Sequence, residues 1–434
     1  MPEGSTRKVP RKAERGEALP ATASAPTPAM PIFRVFVPFA CGYYLSYLYR
    51  TINAVISPDL VRDLALDAGQ LGLLTSTYFL AFGLFQLPLG ILLDRFGPRR
   101  VDAALLAVAG LGALVFALSR DFAGLVLARA LIGFGVSAAL MASIKAFTLW
   151  FALSRLASLN GWVMAIGGLG ALSASVPVEA ALRFTDWRGV FEVLAALTLL
   201  AAGAILYLVP ERAAPAGGER LGAMLRGVAG IFGDAGFWRI AVICMAVQAT
   251  FLSVAGLWVG PWLYDVAALP RGTVATYLLV FAVAMTAGFA FFGTAADRLE
   301  SAGWGAERLF VLGAAVSTAG LALVALGVTR AALAIWIVVY FSSPAGALSY
   351  AILSRRYPSA QGGRVNTALN FLVFAAAFAA QWGIGAIVNL WPAADGVYPL
   401  AAFRAAFGAC VALEVAALAW WLAPRRAATR RRGD

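Results

Sequence analysis

Apolar runs long enough to cross a bilayer recur along almost the whole chain, separated by short breaks where arginine, aspartate, glycine and proline collect. A hydrocarbon core of about 30 Å needs roughly 20 residues of helix. At that length the runs predict twelve spans, at 33–56, 70–93, 101–118, 124–150, 160–182, 189–209, 237–263, 273–296, 309–327, 332–353, 365–389 and 399–423. The expected fold is all-α and integral to a membrane. One long polar interruption, 210–236, holds Glu211, Arg212, Pro215, Gly217, Gly218 and Glu219 and divides the spans six and six. Residues 31–209 and 237–424 are therefore expected as two six-helix bundles joined by a linker. Residues 1–30, rich in Pro, Ala and charge without an apolar face, are expected to be disordered, and 425–434 form a basic tail. A secretory leader does not fit, because the apolar run after Met30 is too long and is followed by Arg50-Thr51-Ile52-Asn53, not by a small-residue cleavage site.

The two halves share a motif. Gly90 stands four residues before Asp94-Arg95, and 203 residues later Gly293 stands four before Asp297-Arg298. A duplicated unit that puts a small residue, a carboxylate and a guanidinium at one membrane surface implies internal repeats related by pseudo-symmetry. Orientation follows from the basic residues. With both termini cytoplasmic, 24 Lys/Arg fall on that side and seven (Arg62, Arg120, Arg183, Arg188, Arg271, Arg330, Arg404) on the other. That bias satisfies the positive-inside rule, so the net charge of +12 reports topology and attraction to anionic lipid, and no nucleic-acid partner is expected.

Composition narrows the function classes. Hydrophobic residues make up 61% of the 434, mean hydropathy is +0.81, and only 13% of residues are charged. Histidine is absent, which removes the usual general base and the commonest zinc ligand. Cys41, Cys244 and Cys410 stand alone in apolar runs and offer neither a disulfide framework nor a thiolate metal site. No enzyme, cofactor or metal is expected.

The loop Gly90-Ile91-Leu92-Leu93-Asp94-Arg95-Phe96-Gly97-Pro98-Arg99-Arg100 resembles the signature between the second and third spans of the major facilitator superfamily. It departs where Pro98 replaces the usual basic residue, leaving Arg99 and Arg100 to supply the charge. Arg129-x-x-Ile132-Gly133-x-Gly135 resembles the family's second motif, with Ile132 in place of a polar residue, and Asp186-Trp187-Arg188-Gly189-Val190-Phe191 also fits. The resemblance covers 31–424. It implies a multi-pass, monomeric secondary transporter of the bacterial inner membrane that works by alternating access. Gly90 allows close helix approach, and Asp94 can accept hydrogen bonds from the free N–H groups of another helix's N-terminus. The resemblance puts that partner at the start of the eleventh span, Val365-Asn366, as a latch favouring the outward-open state; by pseudo-symmetry Asp297, beside Arg298, would meet the fifth span near Asn160-Gly161. The alternative is ordinary loop turns carrying positive-inside charge.

Charges within spans need a reason, since each costs about 2.5–3.5 kcal/mol at mid-bilayer on insertion scales. Tyr43, Tyr47 and Arg50 recur at i, i+4 and i+7, with Ser46 and Asn53 alongside, giving the first span one polar face. The resemblance makes that span line the central cavity, where a guanidinium suits a carboxylate or phosphate. The rival is an arginine that reaches the headgroup layer or pairs with Asp59 or Asp63. Arg129 and Lys145, sixteen positions apart, lie on different faces of the fourth span. Arg129 reads as a gating residue or a cation on a backbone carbonyl, and Lys145 as a headgroup or substrate contact. Glu179, Glu192 and Glu414 are the scarce acids, none an obvious cavity carboxylate, so coupling to protons or to a counter-anion stays open. Gln248, Trp258, Tyr340 and Asn370 complete the candidate substrate residues, and Ser343-Pro344-Ala345-Gly346 is a candidate flexing point. The expected cargo is a small organic solute, anionic in character. The alternative is proton-coupled efflux of hydrophobic compounds, for which the glycine-proline signature in the fifth span is poorly matched.

Overall fold

The computed structural model describes residues 32–212, 221–301, 305–394 and 396–423. The expected terminal tails, 1–30 and 425–434, lie outside them, as does part of the linker; Leu221–Phe232 within that linker is helical. Among the described residues, ten helices are long and apolar enough to cross a membrane. Two features separate this from the expected twelve. Ala68–Leu118 runs 51 residues through both the second and third expected spans. It turns at Gly97, whose φ of 78° is open to glycine at little cost, and Pro98 restarts the helix beyond. Ile32–Thr51 carries Arg34, Arg50, Pro38 and four tyrosines, which lower its hydropathy below that of the ten.

Several helices are broken, and the breaks repeat between halves. The first helix stops at Thr51 and resumes as Asn53–Leu64. An offset of 203 residues from Ile52 lands inside Val254–Trp258, where Ala235–Asp265 widens to π geometry. Phe122–Gly135 and Ala139–Trp150 are separated by a turn, and the same offset falls just short of Ser343–Ala347, a 3₁₀ segment. Breaks free backbone carbonyls that lipid cannot satisfy, so side chains must. Gln86 Nε2 donates to Ser137 O at 3.0 Å in the first case. Ser349 Oγ donates to Gly346 O at 2.6 Å in the second.

The halves meet at one end and part at the other. A continuous buried apolar cluster runs from residues 35–209 into parts of the second half such as Trp258, Phe281, Trp336 and Phe374. The rest of the second half, around Phe237, Phe310, Ile352 and Leu369, forms a separate cluster. Glycines mark the seam. A Cβ on Gly72 would meet Gln381 O at 2.9 Å and one on Gly83 would meet Phe374 at 2.8 Å, while Gly260 lies directly on Ala54 O and Gly385 on Ala68 O. Further along two of the same helices Gly90, Gly362 and Gly363 face open space, as do Gly161 on Leu153–Ser173 and Gly293 on Arg271–Ser301. The seam is thus zipped from the middle of the molecule to the end holding Asp59, and unzipped from the middle to the end holding Asp94.

Candidate functional site

Arg50 sits where the zipped seam begins. Its guanidinium carbon lies 4.7 Å from the ring centroid of Tyr47, 5.3 Å from that of Phe82 and 5.5 Å from that of Phe374. Phe82 belongs to the first half and Phe374 to the second, their centroids 4.3 Å apart, so the cation is held by both. Ring faces attract a cation by about 0.5–2 kcal/mol each, yet they accept no classical hydrogen bond. Arg50 Nε is buried without an acceptor, and among the described residues no carboxylate pairs with Arg50. Asp59 and Asp63, its sequence-level rivals, are taken by Arg62, Arg188 and Arg271.

The surroundings are aromatic and hydroxylic. Tyr43 stands edge-on to Tyr47 at 5.1 Å, and a Cβ on Gly167 would lie 2.5 Å from the Tyr43 ring, so glycine there makes room for both tyrosines. Tyr78 stacks on Phe82 and its hydroxyl donates to Ser46 O at 3.3 Å. Tyr350, close enough to feel the charge of Arg50, donates its hydroxyl to Asn370 Oδ1 at 2.9 Å. One face of this site therefore offers a guanidinium, phenols and an amide with no compensating negative charge, which suits an anion.

The structure brings together Arg50, Tyr47 and Tyr43, and bonds Asn370 to Tyr350. Gln248 lies against Gly346 of the 3₁₀ break, with its Oε1 buried and unpartnered. Trp258 is 1% exposed and donates Nε1 to Gln381 O at 2.9 Å, which makes it part of the closed seam. Tyr340 packs among Phe251, Phe281 and Trp336 and lines a separate cavity of about 30 Å³ with Thr51, Ser175 and Met285.

Two cation sites stand at the ends of the seam, and a third lies inside the first half. At the zipped end Arg271, on the second-half helix Arg271–Ser301, holds Glu179 Oε2 from Nε at 2.7 Å and Asp59 Oδ1 from Nη1 at 2.9 Å, with Nη2 on Asp59 as well. Both acids belong to the first half and are nearly buried, 9% and 12% exposed at the side chain. Arg271 was counted in the sequence only as a loop charge. The signal available was Glu179, an acid in an apolar segment and so in need of a cation. At the unzipped end, Asp94 Oδ1 accepts from Lys145 Nζ at 2.7 Å. This differs from the expected latch to Val365-Asn366; Asn366 Oδ1 instead accepts from Ser354. The reason is the separation of the helices: with Gly90 facing open space, the carboxylate takes the nearest cation of its own half. Lys145, expected as a headgroup or substrate contact, is thus paired with Asp94. Arg95 lies over Phe96, while Arg99 donates to Leu206 O and pairs with Glu211, as does Arg100. The side chain of Asp297 lies outside the described ones, and Arg298 beside it is exposed.

Arg129 is the third, wholly buried in the first half. Its Nη1 donates to Tyr49 O at 3.2 Å, and its guanidinium lies 5.2 Å from Phe116 and 5.8 Å from Phe191. Gly133 and Gly135 on the same helix touch the backbone of Ala68–Leu118 directly, which is how the helix comes close enough for that geometry. Sequence reading missed Asp102 altogether; it is fully buried beside Gly42, and neither of its oxygens has a partner. Its place at the start of an expected span disguised it as a flanking charge.

Known proteins resemble this arrangement. A segment of 157 residues is 26% identical to the probable sulfoacetate transporter of Cupriavidus necator, and covers 36% of each chain. Another of 168 residues is 32% identical to the probable L-galactonate transporter of Escherichia coli strain K12, covering 36% of this chain and 35% of that one. The matched stretch thus spans about a third of these relatives. In fold, the chain superposes on the nucleoside transporter NupG with a TM-score of 0.74 at 14% identity, over 90% of this chain and 100% of that one. It also superposes on a D-xylose-proton symporter with a TM-score of 0.71 at 16% identity, over 90% and 97%. Residues 39–381 match the Major Facilitator Superfamily as a family, well over half of the chain. The protein belongs to the Major Facilitator Superfamily and is a multi-pass integral membrane protein.

Proposed function

We propose that the protein carries a small organic anion across the bacterial inner membrane by alternating access, through twelve spans with both termini cytoplasmic. The observation that carries this is Arg50, half-buried between rings of both halves with an unpartnered Nε and no carboxylate beside it. An uncompensated guanidinium at the junction of two moving bodies is costly unless it serves a ligand of opposite charge. Relatives named for sulfoacetate, L-galactonate and hexuronate transport, all anionic solutes, support the same class. With the positive-inside orientation, the zipped Asp59 end faces outward and the unzipped Asp94 end faces the cytoplasm, so the state described is inward-facing. In that state the motif latch at Asp94 is released, as the resemblance implies for a contact that favours the outward-open form.

Purified wild type and Arg50→Ala should be screened for thermal stabilisation by sulfoacetate, galactonate, glucuronate and inorganic phosphate, with tetraphenylphosphonium as a lipophilic cation. A ligand at about 100 times its Kd adds about 2.7 kcal/mol to the folded state. Stabilisation by one or more of the anions, confined to the wild type, is expected. Stabilisation of both proteins by the cation alone would instead favour efflux of hydrophobic compounds.

A further inference from the structure

We propose that a crevice at the Asp94 end, lined by Arg99, Arg100, Arg212 and Trp150, binds the phosphodiester headgroup of an anionic phospholipid from the adjoining leaflet. The crevice lies within the first half, away from the seam, and the proposal stands whether or not Arg50 anchors a substrate.

Three segments meet there: the turn 96–100 inside Ala68–Leu118, the last turn of Ala139–Trp150, and 209–212, which follows Trp187–Leu208. Carbonyls in the last turn of a helix have no partner within it. Arg99 supplies one, its Nε donating to Leu206 O at 3.0 Å. Arg212 supplies another, its Nη1 donating to Leu149 O, with the guanidinium 5.3 Å from the Trp150 ring centroid. These bonds fix each fork in place and use only part of it, since a guanidinium carries five N–H donors. Arg100 adds a third cation from the same turn as Arg99. Against the three, the lining holds a single acid, Glu211, which pairs with Arg99 Nη1 at 3.4 Å through Oε2 and with Arg100 through Oε1. The crevice therefore keeps a positive excess even with its own carboxylate in place.

Glu211 marks where the headgroup goes. Its carboxylate is an oxyanion on two neighbouring guanidiniums, the geometry in which arginines also hold phosphate. The free space beside it is about 20 Å³, room for a water molecule and not for a phosphate. An anionic headgroup thus enters by replacing the carboxylate, whose side chain is 51% exposed, and gains Arg212 as a third partner. The rim explains why the phosphate comes from a lipid. Leu206, Tyr207 and Leu208, at the end of Trp187–Leu208 and next to the crevice, are all exposed, Tyr207 at 82%, and Phe96 is exposed on the opposite rim. On a spanning helix such side chains face acyl chains, and Trp150 stands where indoles favour the headgroup boundary. Guanidiniums bordered by exposed apolar side chains match a molecule that carries a phosphate on two acyl chains, whereas a soluble anion makes no use of the apolar rim.

The purified full-length protein is titrated with phosphatidylglycerol, phosphatidylethanolamine and phosphatidylcholine, and bound lipid is counted by native mass spectrometry. One phosphatidylglycerol is expected to bind about tenfold more tightly than either zwitterionic lipid, and Arg100→Gln with Arg212→Gln should abolish most of that preference. Glu211→Gln separates a built site from general attraction to basic surface. It removes the competing carboxylate and leaves every arginine, so phosphatidylglycerol should bind about threefold more tightly or better. Arg226→Gln, at an exposed arginine on the linker helix Leu221–Phe232, should change nothing. Equal affinity for the three lipids, unchanged or weaker phosphatidylglycerol binding in Glu211→Gln, or a loss in Arg226→Gln as large as in the double variant would each overturn the proposal. So would phosphatidylethanolamine binding best and weakening in Glu211→Gln, which would assign the crevice to an ammonium group on that carboxylate. Inorganic phosphate and glycerol 3-phosphate, added in large excess, should leave the bound phosphatidylglycerol in place; displacement by either would make this a site for soluble phosphate and overturn its assignment to lipid.

Discussion

Arg271→Gln should unlock the closed end. Arg271 is the cation that ties Asp59 and Glu179 of the first half to the second, through three charge-assisted hydrogen bonds. Removing one partner of a buried ion pair costs about 3–5 kcal/mol, because the other charge stays buried and unpaired. Here the guanidinium is 32% exposed and Asp59 retains Arg62 at 3.1 Å, so the figure must be discounted for solvent screening. About 1–3 kcal/mol is a fair range, and almost all of it applies to this state, since Arg271 leaves the two acids when the halves separate there. That converts to a shift of about 5- to 150-fold toward the form open at the Asp59 end. The assay is labelling by a membrane-impermeant maleimide at Ala68→Cys, 4% exposed and seated on Gly385 in the seam, with the three native cysteines replaced. Labelling in Arg271→Gln should be faster by that factor, and Arg271→Lys should lie between. Equal labelling rates in all three, with the protein folded, would show that the seam is held by its apolar contacts and not by this network.

The remaining predictions concern the other end and the helix packing. Lys145→Met frees Asp94 to meet the N-terminus of the Ser359–Val388 helix, so maleimide labelling at Ala68→Cys should rise; an unchanged rate would leave the Asp94–Lys145 pair without a role in the equilibrium. Gly133→Ala drives a methyl into Tyr78 O and should cost about 1–3 kcal/mol or more, read as a lower melting temperature of the detergent-solubilised protein. Gly97→Ala meets no atom within 4 Å but holds φ 78° and ψ 157°, so it should cost about 1–3 kcal/mol by backbone strain alone, and Gly90→Ala, in equally open space within the helix, should be nearly neutral by the same measurement.

What the sequence made legible follows the range of the interactions involved. The all-helical membrane character and the duplicated G-x-x-x-D-R are local patterns of polarity and size, and they read directly. So did the polar face of the first helix, because Tyr43, Tyr47 and Arg50 are related by helical spacing. Contacts between distant helices did not read. Asp94 finds Lys145 51 residues away, and Arg271 finds Asp59 across 212, pairings set by how the helices tilt and which end is closed. Trp258 and Tyr340 were expected in the cavity because they are polar-tipped aromatics in lining spans. A π segment turns Trp258 into the seam, and Tyr340 packs among Phe251, Phe281 and Trp336.

The placement of the helix breaks connects these observations to motion. Ile52 lies two residues from Arg50, and the π segment Val254–Trp258 carries Gly256, whose missing side chain faces Arg50 O and the unpartnered Oε1 of Gln381. A π segment keeps one carbonyl out of register, and such segments concentrate where a helix must bend or bind. The first-half helices on either side of Arg50 are therefore interrupted at its own level, and the second half repeats the interruption in the helix that faces it. A cation fixed at the point where both halves are jointed senses any change in their angle. On the proposed reading, an anion held by Arg50 at this junction draws the two joints together. Coupling of occupancy to closure is then a property of where the breaks stand along the helices, and it requires no signal between distant sites.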